Sequence, residues 1–251
     1  MFEKKHAGLL LMTSLTVVSA SGLASPLMDL SKLNLPFVAS LSLGPVWESA
    51  GDTQTFYLTP SIEKTYAAQH VSHALLDGEI FFGLQRPLRE KLEGQLGLAV
   101  ATTSQAKLSG YVWDDAQAQF NNYVYSYQVN HTHVAIKGKL LADRGYVVTP
   151  WLSGSLGVGF NQAHAYSNTP LIPEAVVMPN FTNNTTTAFT YTVGAGFQRH
   201  LNQHWQAGVG YEFADWGKSQ LNRAPEQTLN EGLSLSHLYT NGFLFNLTYQ
   251  A

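Results

Sequence analysis

From residue 37 to the C-terminus the chain repeats one pattern: segments of about ten residues with apolar side chains at every second position and small or polar ones between. Successive side chains of a strand point to opposite faces, so a period of two marks a strand whose two faces meet different surroundings. Eight such segments are legible, over 37–46, 77–85, 91–103, 122–140, 146–162, 188–198, 205–213 and 233–250. Their connections alternate in length. Those over 86–90, 141–145 and 199–203 are about five residues each, whereas the others are rich in Thr, Asn, Gln, Ser and Pro and run to roughly 16–28 residues. Short turns therefore collect at one end and long loops at the other.

The chemistry of the two faces decides the surroundings. In a water-soluble sandwich the outward face carries Lys, Glu and Asp. Here one face is Gly, Ser, Thr, Gln and Asn, too small and too uncharged for a solvated exterior, and the other is Leu, Val, Phe, Tyr and Trp with almost no charge. Charged residues are only 12% of the chain, about half the usual share for a soluble domain. The apolar face is expected to meet lipid and the polar face the inside of a narrow barrel. An even strand count lets the sheet close and satisfies every backbone group where no water is available. Aromatics near strand ends, among them Trp47, Trp113, Tyr123, Trp151, Phe160, Phe189, Trp205, Phe213, Trp216 and Tyr249, are expected to form interfacial girdles. The expected fold is all-β: an eight-stranded antiparallel up-and-down transmembrane barrel over 36–251, with short periplasmic turns and long extracellular loops.

The N-terminus fits export. Lys4 and Lys5 precede an apolar core over 7–20, and the small residues Gly22 and Ala24 follow, the three-part layout of a secretory signal. Cleavage is expected after Ala24, with Ala20 as second choice, and residues 25–35 read as a short lead-in. With no cysteine there is no lipid anchor and no disulfide, and after the first twenty residues no apolar run is long enough for a helical span. The net charge of −3 with scattered bases excludes a polyphosphate-binding surface, so nucleic acid is not an expected partner.

Three stretches carry a family resemblance: the glycine-rich segments Tyr191-Thr-Val-Gly-Ala-Gly-Phe197 and Gln206-Ala-Gly-Val-Gly-Tyr211, and the final Asn241-Gly-Phe-Leu-Phe-Asn-Leu247. With the eight-segment pattern they make residues 36–251 resemble the eight-stranded outer-membrane barrels of the OmpA-like and opacity-type families. The resemblance implies that both termini face the periplasm and that the last segment is an insertion signal for the barrel-assembly machinery, carried by Asn241, Gly242, Phe245, Leu247 and Tyr249. Such chains end on an aromatic residue; here Tyr249 stands two residues before the end.

Candidate chemistry lies on the inward face. Glu79, Glu93, Glu212, Lys137 and Lys139 share that parity, and charges in a dry interior persist only when paired. They are expected to form an ion-pair plug, not a catalytic site, since eight strands enclose room for side chains and little else. His131 and His133 share a face as well, but zinc needs further ligands and none is visible, so they are expected to line a wet upper lumen. No cofactor and no metal are expected. Residues 62–76, with His70 and His73, are read as a helical turn or two.

His237 has the parity and depth of the outward histidine in lipid A deacylases, but Tyr239 stands where the serine would be. The chain is therefore read as a non-enzymatic, monomeric surface protein in contact with outer-membrane lipid. Its long loops hold seven acids and four bases and are expected to serve envelope integrity, adhesion or host contact. Two alternatives stay open: a lipid-modifying enzyme, and an exported soluble lipocalin-like barrel.

Overall fold

A computed structural model describes residues 36–175 and 178–251. The expected export signal and lead-in lie outside the described residues. In chain order the strands are β1 (Phe37–Ser49), β2 (Gln54–Thr59), β3 (Ile62–Ala68), β4 (Ala74–Arg89), β5 (Leu92–Thr103), β6 (Ala106–Asp114) and β7 (Asn121–Leu141). There follow β8 (Thr149–Pro170), β9 (Asn184–His200), β10 (Trp205–Asp215), β11 (Ser219–Gln220), β12 (Ser234–Leu235) and β13 (Tyr239–Gln250). Eight of them close a ring in the order β1-β4-β5-β7-β8-β9-β10-β13, every neighbouring pair antiparallel. The seam pairs Val38 with Gln250 and Ser49 with Tyr239. This is the architecture that the alternating pattern required.

The pleat sorts side chains as the sequence implied. Leu96, Leu98, Ile136, Leu152, Leu156 and Phe245 all stand outside, each about three-fifths exposed. Gln95, Thr192, Gln206 and Thr248 lie buried within. A belt of bare leucine, valine and phenylalanine around a closed sheet is unsuited to water and matches the apolar band of a membrane barrel. On β8 the belt runs from Leu152 to Phe160, roughly 26 Å along the strand, and above it the outward residues become Gln162 and His164.

A membrane crossing takes about 9–11 residues of tilted strand, yet β7 and β8 have 21 and 22. Their upper halves therefore stand clear of the belt. There β7 leaves β5, whose last partner is Thr132, and pairs with β6 from Val129 to Asn121. Strand β6 pairs with β3, and β3 with β2, so a five-stranded sheet rises from one side of the ring. The β11–β12 pair and the bridge from Thr182 to Asn222 are further elements of the long connections. Among the described residues, the largest apolar core lies here and in the barrel mouth, with Tyr66, Tyr125, Tyr127, Tyr166, Phe181, Trp216 and Leu235 all buried.

Several expectations need correction. Residues 62–76 are not helical: β3 occupies 62–68, where Thr65 and Tyr66 suit a half-buried pleat and the hairpin with β2 supplies partners. The last segment does not run unbroken from residue 233, since Leu235 belongs to β12 and the barrel strand begins at Tyr239. Three of the girdle aromatics face the lumen or the apolar core above the ring: Tyr123, Trp151 and Trp216 are all buried.

Candidate functional site

The inward face of the ring forms three tiers. In the middle, Lys137 on β7 places its Nζ 2.7 and 2.8 Å from the carboxylate oxygens of Glu79 on β4, and 3.0 Å from Glu212 Oε2 on β10. Because β4 and β10 stand in different parts of the ring, one ammonium ties opposite walls together. All three side chains are buried, and each carboxylate is charge-compensated by the same cation. Beneath the ions lies a cavity of about 30 Å³, bordered by Ser42, Ser153 and Asn246, enough for about one water molecule. The Ser153 hydroxyl and the Asn246 carbonyl there have no protein partner.

Toward the short turns the interior is a lattice of amides. Gln95 donates to Gln85 at 2.7 Å and Gln85 to Glu93 at 2.7 Å. Across the barrel Gln198 donates to Gln206, which donates to Gln250 at 3.0 Å. Glu93 thus belongs to the amide lattice, with no ion pair among the described residues, and not to the Lys137 cluster where its parity had placed it. Lys139 also stands apart, bonding Gln198 at 2.6 Å with its ammonium 4.6 Å from the Trp151 ring centre. That indole fills the lumen over Gly196 and Gly210. A Cβ at Gly210 would fall 2.3 Å from Trp151 Cη2, so the glycine is what admits the ring.

The upper tier closes the barrel. His131 Nε2 and His133 Nδ1 are 2.9 Å apart, and His131 Nδ1 is 2.6 Å from Asn161 Oδ1. Asn161 in turn donates to the carbonyls of Trp216 and Lys218, both at 2.8 Å. The Trp216 ring lies parallel to His131 at 4.5 Å. These histidines are buried and do not open onto an upper lumen: His131 is stacked on Trp216, and His133 lies tilted against His131 at 5.1 Å with its Nε2 lacking a protein partner. Among the described residues no group of three or more His, Cys, Asp or Glu side chains is placed to hold a metal.

Above the ring the aromatic core is continuous: Tyr66 stacks on Phe56 at 5.2 Å, meets Tyr125 edge-on at 5.7 Å and approaches Phe181 at 5.5 Å, while Tyr166 meets Phe181 at 4.9 Å. Burial pushes the Tyr66, Tyr125, Tyr127 and Tyr166 phenols above their ordinary range, so all four stay neutral. The cap is a packed body, not a set of free loops.

At the rim, His237 is half-exposed and its Nδ1 lies 2.8 Å from Asp215 Oδ2. The other Asp215 oxygen accepts the Gly217 N–H at 2.8 Å, and the imidazole lies parallel to Tyr239 at 5.3 Å. The neighbouring Ser234 hydroxyl is bonded to Gln54. Asp215 was not legible as a partner, because its outward parity gave no sign that the loop after β12 folds back over it. Asn161 and Trp216 were missed for the same reason: they meet only through the folded cap.

The proposed insertion residues lie where the last strand puts them. Phe245, Leu247 and Tyr249 face outward, Asn241 accepts the Tyr211 hydroxyl at 2.9 Å, and Gly242 pairs with Val46 of β1 and Glu212 of β10.

No protein-family model matches the chain, and no curated protein matches it in sequence. Among solved structures it is similar to Neisserial surface protein A, at 12% identity and a TM-score of 0.45, covering 85% of this chain and 96% of that one. It is similar to the outer membrane protease OmpT from Escherichia coli, at 9% identity and 0.43, covering 86% and 97%. It is also similar to the outer membrane protein OprG from Pseudomonas aeruginosa, at 11% identity and 0.42, covering 86% and 96%.

Proposed function

We propose that this chain is a monomeric, non-enzymatic outer-membrane protein, exported by its N-terminal signal, that acts in surface interaction through the cap. The observation carrying this reading is the division of labour between belt and cap. The barrel interior is filled by Lys137, Glu79 and Glu212 in the middle and by His131, Asn161 and Trp216 above, which leaves no wide path for solutes. The long connections are gathered into a packed aromatic body, and recognition surfaces are commonly built on segments held by a rigid scaffold. In this reading the short turns face the periplasm and the cap faces outward.

The test uses the absence of cysteine. A cysteine at Gln119 in the cap should react with a membrane-impermeant maleimide on intact cells, and one at Asn202 in a short turn should react only after lysis. Cells bearing the chain should adhere to a matrix or host-cell layer, and should lose adhesion when protease removes the cap but leaves the barrel. Labelling at Asn202 from outside would invert the orientation, and adhesion that survives cap removal would end the interaction role. The His237–Asp215 pair favours one second reading, a lipid-modifying enzyme. Hydrolysis of lipid A that is lost in His237→Asn would put that reading in place of the first.

A further inference from the structure

We infer that the short-turn end of the barrel carries a binding site for one anionic phospholipid. Two features meet there. The first is a cleft of about 530 Å³ between the turn joining β4 to β5 and the turn joining β7 to β8. Arg89, Lys91 and Arg144 line it with one acid, Glu90, and Tyr146 lies at the same cleft, while the adjoining cleft that shares these three bases also holds Glu93 and Asp143. None of the three bases has a side-chain hydrogen bond or an ion pair among the described residues. The second is an apolar groove of about 450 Å³ on the lipid-facing wall, between the large side chains of Leu140, Leu152 and Phe197. The small residues Ala142 and Ala195 leave the depression between them.

Leu92 and Ala142 line both the cleft and the groove, so the two run into each other. A molecule that fits both needs a negatively charged head and an acyl chain. The phosphate sits among Arg89, Lys91 and Arg144, one acyl chain follows the groove, and the second stays in the surrounding bilayer. A zwitterionic head would bring its own cation against three others, so the site favours a headgroup with net negative charge, such as phosphatidylglycerol. A free phosphate ester would use the cleft but leave the groove empty. This inference rests on the membrane reading above.

The experiment folds the full chain in detergent, offers an equimolar mixture of phosphatidylglycerol and phosphatidylcholine, and counts retained lipids by native mass spectrometry. The unheated gel mobility of each sample reports folding. Wild type should retain one phosphatidylglycerol in preference to phosphatidylcholine by on the order of tenfold, and the preference should fall as salt rises. Replacing Arg89, Lys91 and Arg144 together by Gln should abolish the preference. Ala195→Trp, which fills the groove, should reduce retention of both lipids, and glycerol phosphate, which reaches only the cleft, should compete at least about tenfold more weakly than the lipid. Equal retention of the two lipids by wild type, a preference insensitive to salt, or a triple variant that behaves as wild type would each overturn the site. Glycerol phosphate that competes as well as the lipid would reduce it to an anion cleft and end the phospholipid assignment. A wild-type chain that never folds in detergent would instead contradict the membrane reading itself.

Discussion

Lys137 holds the middle of the barrel together, because its ammonium is bonded to both Glu79 and Glu212. Parity put Lys137, Glu79, Glu212 and Glu93 on one face, and all four do face inward. Parity carries no information on depth. Register sets Lys137 level with Gly97 and Glu93 level with Leu141, four residues lower on β7, or roughly 13 Å along the strand. That distance separates Glu93 from the ion cluster and leaves it to Gln85. Lys137→Met should destabilise by about 3–5 kcal/mol, because two buried carboxylates lose their cation. Adding Glu79→Gln and Glu212→Gln should recover most of that loss in urea unfolding in micelles; additive losses would mean that the three do not act as one cluster. At Gly210 the constraint is volume: Gly210→Ala should cost about 1–3 kcal/mol by pressing on Trp151. Pairing it with Trp151→Leu should cost less than the two separate changes added together.

At the level of elements, the eight barrel strands were legible because lipid on one side and a crowded lumen on the other impose a strict period of two. Leu96→Arg should therefore cost roughly 2–4 kcal/mol at the middle of the belt, and the neighbouring Gln95→Asn much less. Equal costs would mean that β5 is shifted by one residue and its faces exchanged. Strands β2, β3 and β6 were not legible for the corresponding reason. They lie above the belt, where both faces meet protein or water, and stretches such as Gln54-Thr-Phe-Tyr-Leu-Thr59 show no clean alternation. Only the succession of pairings from the upper half of β7 to β6, from β6 to β3 and from β3 to β2 reveals them. If the cap is packed by its own aromatics, Phe181→Ala should cost about 3–5 kcal/mol within the cap. Limited proteolysis should then cut 50–73 faster, with the heat-dependent gel mobility of the barrel unchanged. Loss of both together would show that cap and barrel unfold as one unit.

Taken together, the described residues form a closed sheet with an apolar belt, a filled lumen and an aromatic cap, and each part follows from what its residues must avoid. Leucine and phenylalanine on the belt avoid water, the buried ions avoid isolation by pairing, and the upper half of β7 keeps its backbone paired above the belt by recruiting β6, which is followed by β3 and β2. The partner proposed for the cap was not legible, since surface recognition leaves no periodicity in a sequence. The belt is the central claim, and separation of cell membranes tests it most directly. The chain should sediment with the outer membrane, resist extraction by carbonate, and change apparent size on gels when heated. Recovery in the soluble fraction, with the same mobility before and after heating, would contradict the account.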